Sequence, residues 1–223
     1  MPSNVGAVIV CAGKGKRLGA DKAAIKLEGK PLFYHTYKLF KDIKAIKQIV
    51  IVLRKKNFTL AQKLIKDKRV SLAEGGVRRQ DSVFAGLSRL DKNIGYVLIH
   101  DGARPFTPRA VIVEMLKNVK KYPAVICAVK SRDTLKGIRG NFVKNTLNRN
   151  DIAMVQTPQA FKKSLLLDAY QKFNHRNTFD DAELFEFMKK KVRIVNGSHR
   201  NIKITYPQDM VLAKALLKTK GTT

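Results

Sequence analysis

The chain has 223 residues, 44% of them hydrophobic, which allows one α/β domain with a full core and is too short for two comfortable ones. No apolar run approaches the ~20 residues needed to cross a bilayer. Forty-five Lys and Arg against 17 Asp and Glu leave a net charge of +28. That charge permits an anionic partner, but the lysines are spread over nearly every helix and loop, without a polybasic tail or basic-aromatic repeat. This is the distribution of a solvated surface, and a nucleic-acid-binding protein is the alternative that the charge leaves open.

The start, Met1-Pro2-Ser3-Asn4, carries no basic segment, so the run from Val5 to Ala12 is read as a first core strand and not as a leader. In chain order, strands are predicted at Ala7–Ala12, Gln48–Leu53, Val70–Ala73, Tyr96–His100, Ala124–Val129, Ala153–Thr157 and Val192–Val195. Helices are predicted between them at Pro31–Lys41, Leu60–Asp67, Asp81–Leu90, Pro108–Lys121, Lys162–Phe173, Asp180–Lys189 and Pro207–Lys218. Three of these open on proline, which suits a first helical turn. Continuous apolar strands alternating with helices predict an α/β fold: a single Rossmann-like domain over residues 1–223, its mostly parallel twisted sheet covered by helices on both faces. One stretch breaks the alternation. Thr134–Asn148 holds two glycines and short β-prone pieces, so it reads either as a projecting β-arm at about 134–150 or as a surface loop. The two cysteines, Cys11 and Cys127, lie far apart in apolar runs, the usage of a reduced compartment, and a cytoplasmic protein is expected.

Ligands of such sheets bind beyond the carboxyl ends of the strands, and the residues that follow the strands are informative here. After the first strand comes Cys11-Ala12-Gly13-Lys14-Gly15-Lys16-Arg17-Leu18-Gly19, a glycine-rich turn whose backbone N–H groups can approach phosphate oxygens. It matches neither GxxxxGK[ST] nor GxGxxG, and its cations suit a triphosphate. After the fourth strand, Asp101-Gly102-Ala103-Arg104-Pro105 offers a carboxylate that can hold Mg²⁺ against phosphate oxygens. After the third, Glu74-Gly75-Gly76 leads to Arg78-Arg79-Gln80-Asp81-Ser82, where Asp81 or Ser82 can cap the next helix. No Ser–His–Asp or Cys–His arrangement is evident. His175 and His199 lack the spacing of a zinc site.

Seven motifs in order, CAGKGKRLGADKAAIKLEGKPL, EGGVRRQDSVFAGL, HDGARPF, SRDTLK, TPQAF, DDA and NIKITYPQD, resemble those of the sugar-nucleotide cytidylyltransferases, and of the methylerythritol-phosphate cytidylyltransferase family in particular. The resemblance runs from Val8 to about Leu217. It implies CMP transfer from CTP to 2-C-methyl-D-erythritol 4-phosphate in non-mevalonate isoprenoid synthesis, the related alternative acceptor being ribitol 5-phosphate. It further implies Arg17 and Lys22 as catalytic cations at the α-phosphate, with Lys16 as a further basic residue. Ala12, Gly13, Gly15, Gly76 and Ser82 would bind the nucleotide, and Asp101 the Mg²⁺. Thr134, Arg149 and Lys203 would hold the acceptor phosphate, in a homodimer that exchanges its β-arms. Three places depart from the pattern, the first being Asp21-Lys22-Ala23, which stands where many relatives have a PKQ-like sequence. Phe179 stands where Thr is usual, and Arg200 where an acidic residue is common.

Overall fold

The computed structural model describes residues 1–13, 15, 21 and 24–219. Seven strands form the central sheet: β1 (Val5–Val10), β4 (Ile46–Leu53), β5 (Val70–Glu74), β6 (Tyr96–Asp101), β7 (Ala124–Lys130), β10 (Ala153–Lys162) and β11 (Val192–Asn196). Their spatial order is β11-β7-β10-β6-β1-β4-β5. All neighbours run parallel except β10, which is antiparallel to both β6 and β7. The mostly parallel sheet read from the sequence is therefore the one observed.

Side chains alternate across a strand, and β1 shows what that does here. Val5, Ala7 and Ile9 point into one apolar layer with α1 (Leu32–Lys41), α2 (Phe58–Leu64) and α4 (Arg109–Asn118). Val8 points into the opposite layer with α3 (Arg79–Leu87), α5 (Lys163–Phe173) and α6 (Glu183–Phe187). Full burial of each such aliphatic side chain contributes about 1.5–3 kcal/mol, so the central strands anchor both layers. A third, smaller apolar cluster joins α7 (Pro207–Lys218) to Leu27, Leu32, Phe106 and Ile204. Its Leu27 belongs to a two-strand ribbon of β2 (Lys26–Leu27) and β3 (Lys30–Pro31).

The irregular stretch after β7 is a β-arm. Strands β8 (Leu135–Arg139) and β9 (Phe142–Leu147) pair antiparallel, and the turn between them contains Gly140 at φ +57°, a conformation glycine adopts without strain. The arm carries Ile138, Phe142 and Val143 exposed.

Several boundaries differ from the sequence reading for local reasons. Pro31 and Pro108 sit just before α1 and α4, and only Pro207 is the first residue of its helix. The helix expected over Asp180–Lys189 shrinks to Glu183–Phe187, because both aspartates are engaged elsewhere. Asp180 Oδ1 accepts the Glu183 N–H at 3.0 Å, and Asp181 turns inward to Arg79. The helix expected to reach Asp67 stops at Leu64, and Asp67 instead binds the Arg69 backbone and guanidinium.

Candidate active site

The carboxyl ends of β1, β5 and β6 meet at one edge, and two clefts open there side by side. The first, about 490 Å³, is lined by Ala12, Gly13, Gly75, Gly76, Val77 and Ser82, with Arg54, Arg79, Asp101 and Lys203. Close backbone packing builds its floor. A Cβ on Gly75 would stand 2.1 Å from the Ala12 Cβ, so glycine is required for the β5–α3 turn to lie against the loop after β1. The Gly75 N–H donates to Leu53 O at 2.9 Å, and the Gly76 N–H to Ser82 Oγ at 3.1 Å. Ser82 thus faces back across the turn from α3. Asp81 Oδ2 accepts the Arg78 N–H at 2.9 Å and closes the first turn of that helix. Gly15 is buried with φ +65°. Lys16, Arg17 and Lys22 lie outside the described residues.

The second cleft, about 430 Å³, is lined by Arg104, Val155, Gln156, Thr157, Gln159, Phe179, Asp180, Glu183 and Glu186. It shares Arg79, Asp101 and Lys203 with the first. Asp101 therefore stands at the junction, at the end of a central strand. Lys203 Nζ lies 2.7 Å from its Oδ2, Arg79 Nε 3.4 Å from its Oδ1, and Arg104 Nε 3.9 Å from Oδ2. Burial by itself would raise the Asp101 pKa, but the charges of Arg79 and Lys203 outweigh it and hold the carboxyl well below the usual range.

The junction is supported from beneath. The Asp101 N–H donates to Thr157 Oγ1 at 3.0 Å, and Thr157 Oγ1 lies 3.0 Å from His100 Nδ1. His100 Nε2 is 3.0 Å from Arg104 O, which can only accept. One tautomer satisfies the chain: Nε2 carries the proton, and Nδ1 accepts the Thr157 hydroxyl. Burial pushes the His100 pKa down to about 4, so the ring is neutral at pH 7. Arg104 Nη1 donates to Asn201 O at 2.7 Å, which ties the loop after β6 to the segment bearing Lys203.

Arg79 opens α3, where a cation opposes the helix dipole. Its other partner explains the position: Nη2 reaches Asp181 Oδ2 at 2.9 Å. Asp181 is fully buried, and Tyr170 OH donates to its Oδ1. Burial would lower the Arg79 pKa, but Asp181 and Asp101 raise it instead, so the guanidinium is permanently charged. Gln159 completes the wall by accepting the Asp181 N–H at 3.2 Å and donating to Asp180 Oδ2 at 2.7 Å.

Of the sequence-assigned residues, Ala12, Gly13, Gly76, Ser82, Asp101 and Lys203 come together at the first cleft. Thr134 and Arg149 do not join them. Both are exposed at the base of the arm, and Arg149 Nη1 donates to Arg132 O at 3.4 Å. Arg79, Arg104, Gln159 and Asp181 were not singled out from the sequence, although each lies in a motif that was. The signal for Arg79 was a cation in the first turn of a helix, which needs a compensating acid. Phe179 is 95% exposed on the rim of the second cleft. Arg200 Nη2 donates to Thr219 Oγ1 at 3.3 Å.

A family model described as 2-C-methyl-D-erythritol 4-phosphate cytidylyltransferase matches residues 5–219. A protein of that name from Alkaliphilus oremlandii is 39% identical over 98% of this chain and 97% of its own length. One from Dehalococcoides mccartyi is 41% identical over 96% of each chain. Among solved structures, 4-diphosphocytidyl-2C-methyl-D-erythritol synthase from Anaerococcus prevotii superposes with a TM-score of 0.87 at 34% identity, covering 96% of both chains. The 2-C-methyl-D-erythritol 4-phosphate cytidylyltransferase of Thermus thermophilus gives 0.82 at 29% identity, over 98% of this chain and 100% of that one.

Proposed function

Because the chain belongs to the 2-C-methyl-D-erythritol 4-phosphate cytidylyltransferase family, we propose how its residues divide the work of that reaction. The enzyme transfers CMP from CTP to 2-C-methyl-D-erythritol 4-phosphate in isoprenoid synthesis, giving 4-diphosphocytidyl-2-C-methyl-D-erythritol and pyrophosphate. A phosphate oxygen of the acceptor forms a bond to the α-phosphorus, and the bond to the β-phosphate oxygen breaks. Both reactants are anions, so the obstacle is charge repulsion and alignment; the nucleophile is already ionised and requires no general base.

The observation that carries the assignment is Asp101 at the junction of two clefts, with Arg79 and Lys203 facing both. The first cleft takes CTP, its base against Ala12, Gly13, Gly76 and Ser82. The second takes the acceptor, whose phosphate meets Lys203 at the shared wall. Arg17 and Lys22 neutralise the α-phosphate as charge builds on it, and Lys16 and Gly15 contribute to the triphosphate loop.

Among the described residues no three His, Cys, Asp or Glu side chains gather as a ready metal cage. A single carboxylate at the phosphate site nevertheless suits Mg²⁺, which commonly takes one or two carboxylates together with substrate phosphates and water. Asp101 is the residue that would hold it, and the bound ion would screen the phosphate charges.

Thr134 and Arg149 act on the acceptor phosphate of a second copy, in a homodimer joined through the arms. The exposed Ile138, Phe142 and Val143 support this reading, since one chain alone leaves them uncovered. A cytoplasmic location is supported by the cysteine usage of a reduced compartment.

Pyrophosphate release measured with CTP, Mg²⁺ and methylerythritol phosphate tests the assignment. ATP, GTP and UTP serve as alternative donors and ribitol 5-phosphate as the alternative acceptor. Release requiring CTP and methylerythritol phosphate is expected; release only with ribitol phosphate would change the acceptor. Sedimentation of the same sample reads the assembly, and a fully active monomer overturns the arm-exchange reading.

A further inference from the structure

We propose that Asp21 is a positioning residue that clasps the chain immediately before Lys22 to the turn following β4. Three donors from that turn converge on one carboxylate oxygen. Lys56 Nζ lies 3.1 Å from Asp21 Oδ2, Asn57 Nδ2 3.2 Å and Arg54 Nη1 3.4 Å. The main chain of Asp21 is engaged as well, its carbonyl accepting the Ala24 N–H at 2.8 Å and the Ile25 N–H at 3.2 Å. The clasp therefore grips the residue by side chain and backbone together.

Exposure separates anchoring from surface pairing. The Asp21 side chain is only 7% exposed, whereas Arg54 and Lys56 are 39% and 62% exposed. A carboxylate withdrawn from water requires its hydrogen bonds to be made, and buried Asn57 supplies one from a fixed place in the 3₁₀ turn Lys55–Asn57. Lys56 is mostly solvated and Arg54 partly so, and ion pairs of such exposed cations contribute little to global stability. Their effect is to define where Asp21 sits. Arg54 also lines the nucleotide cleft, which places the clasp beside the substrate and not on a remote surface. The residue bonded to Asp21 is Lys22, and a displacement of about 1 Å in a group aligned with a reacting phosphate can lower turnover on the order of a hundredfold. The inference rests on the proposed role of Lys22 at the α-phosphate.

Steady-state kinetics on the full chain, with thermal midpoints measured in parallel, test the clasp. Asp21→Ala is expected to lower kcat about tenfold to a hundredfold while the CTP KM changes by no more than about threefold. Asp21→Asn, which can still accept from Asn57 but loses the ion pairs, should fall between. Lys56→Ala, at an exposed position, should lower kcat several-fold with an unchanged thermal midpoint. The double variant should lose no more than Asp21→Ala alone, because both changes open the same contact. Unchanged kcat in Asp21→Ala beside an impaired Lys22→Ala overturns the clasp alone. Unimpaired Lys22→Ala overturns the reading of Lys22 on which it rests. Loss in Asp21→Ala that disappears on cooling below a lowered thermal midpoint also overturns the clasp, since it marks a purely structural defect.

Discussion

Asp67 and Asp101 both have strongly lowered pKa values, and they differ in almost everything else. Asp67 is served by Arg69, two residues away, through the Arg69 N–H at 3.0 Å and the guanidinium at 2.7 Å, with Tyr37 OH at 3.1 Å. Arg69 in turn donates to Lys41 O and Ile46 O, so the group closes on itself and ties α1 to the sheet edge. Hydrogen bonds from Arg69, against the cost of burial, bring the Asp67 carboxyl down to about 2. Asp101 is held low by charges instead, and two of those, Arg79 and Lys203, lie 22 and 102 positions away in the chain, as their numbering shows. Its cluster opens onto two clefts. A perturbed carboxylate marks a functional site only when the charges around it also face a cavity. At Asp67 they face the protein.

The sharpest break in this comparison is Arg79→Ala. It leaves fully buried Asp181 without its counter-ion, and unpaired buried charge is expected to cost about 3 kcal/mol of stability, read as a lower urea midpoint. Arg79→Lys should recover only part, since an ammonium cannot reproduce the two-sided reach of the guanidinium. A gentle loss in Arg79→Ala would mean that the junction tolerates rearrangement.

Next in size, Asp101→Asn should lower kcat about a hundredfold or more, because it removes the one carboxylate shared by both clefts. Asp67→Asn should leave kcat and both KM values unchanged. Equal kinetic losses in the two variants would erase the distinction drawn between them.

The smallest effect is a pH dependence. The Asp67 carboxyl is at about 2 in the folded chain against about 3.9 unfolded. Between those values the unfolded state binds more protons, so stability rises with pH there. The contribution is fully present above about pH 4 and is lost as pH falls through about 2, amounting to roughly 2–3 kcal/mol. Urea midpoints of the parent and Asp67→Asn should therefore differ at pH 5 and converge toward pH 2. A constant gap would assign the loss to packing.

Much of the fold was legible in the amino-acid order because it depends on short-range pattern. The strands Gln48–Leu53 and Tyr96–His100 are apolar on both faces, and that is the signature of a buried parallel strand. The structure extends them only to Ile46 and Asp101. The sequence leaves the arm open between hairpin and loop, since an exposed two-strand ribbon has no buried face to impose alternation. Helix ends were misplaced at Asp67 and at Asp180–Asp181, where carboxylates preferred distant or local hydrogen-bond partners over helical backbone.

The sequence by itself determined the doubly covered sheet and the glycine turns after its strands, while Lys203 was reached only through the family resemblance. Periodicity and glycine placement act over a few residues, so neighbours in the chain suffice to reveal them. Only the tertiary structure decided that Arg79 joins Asp101 to Asp181, that His100 stands neutral beneath the junction, and that Asp21 meets the turn after β4. Those pairings link segments far apart in the chain, and charge complementarity across a folded sheet leaves no periodic trace in the sequence.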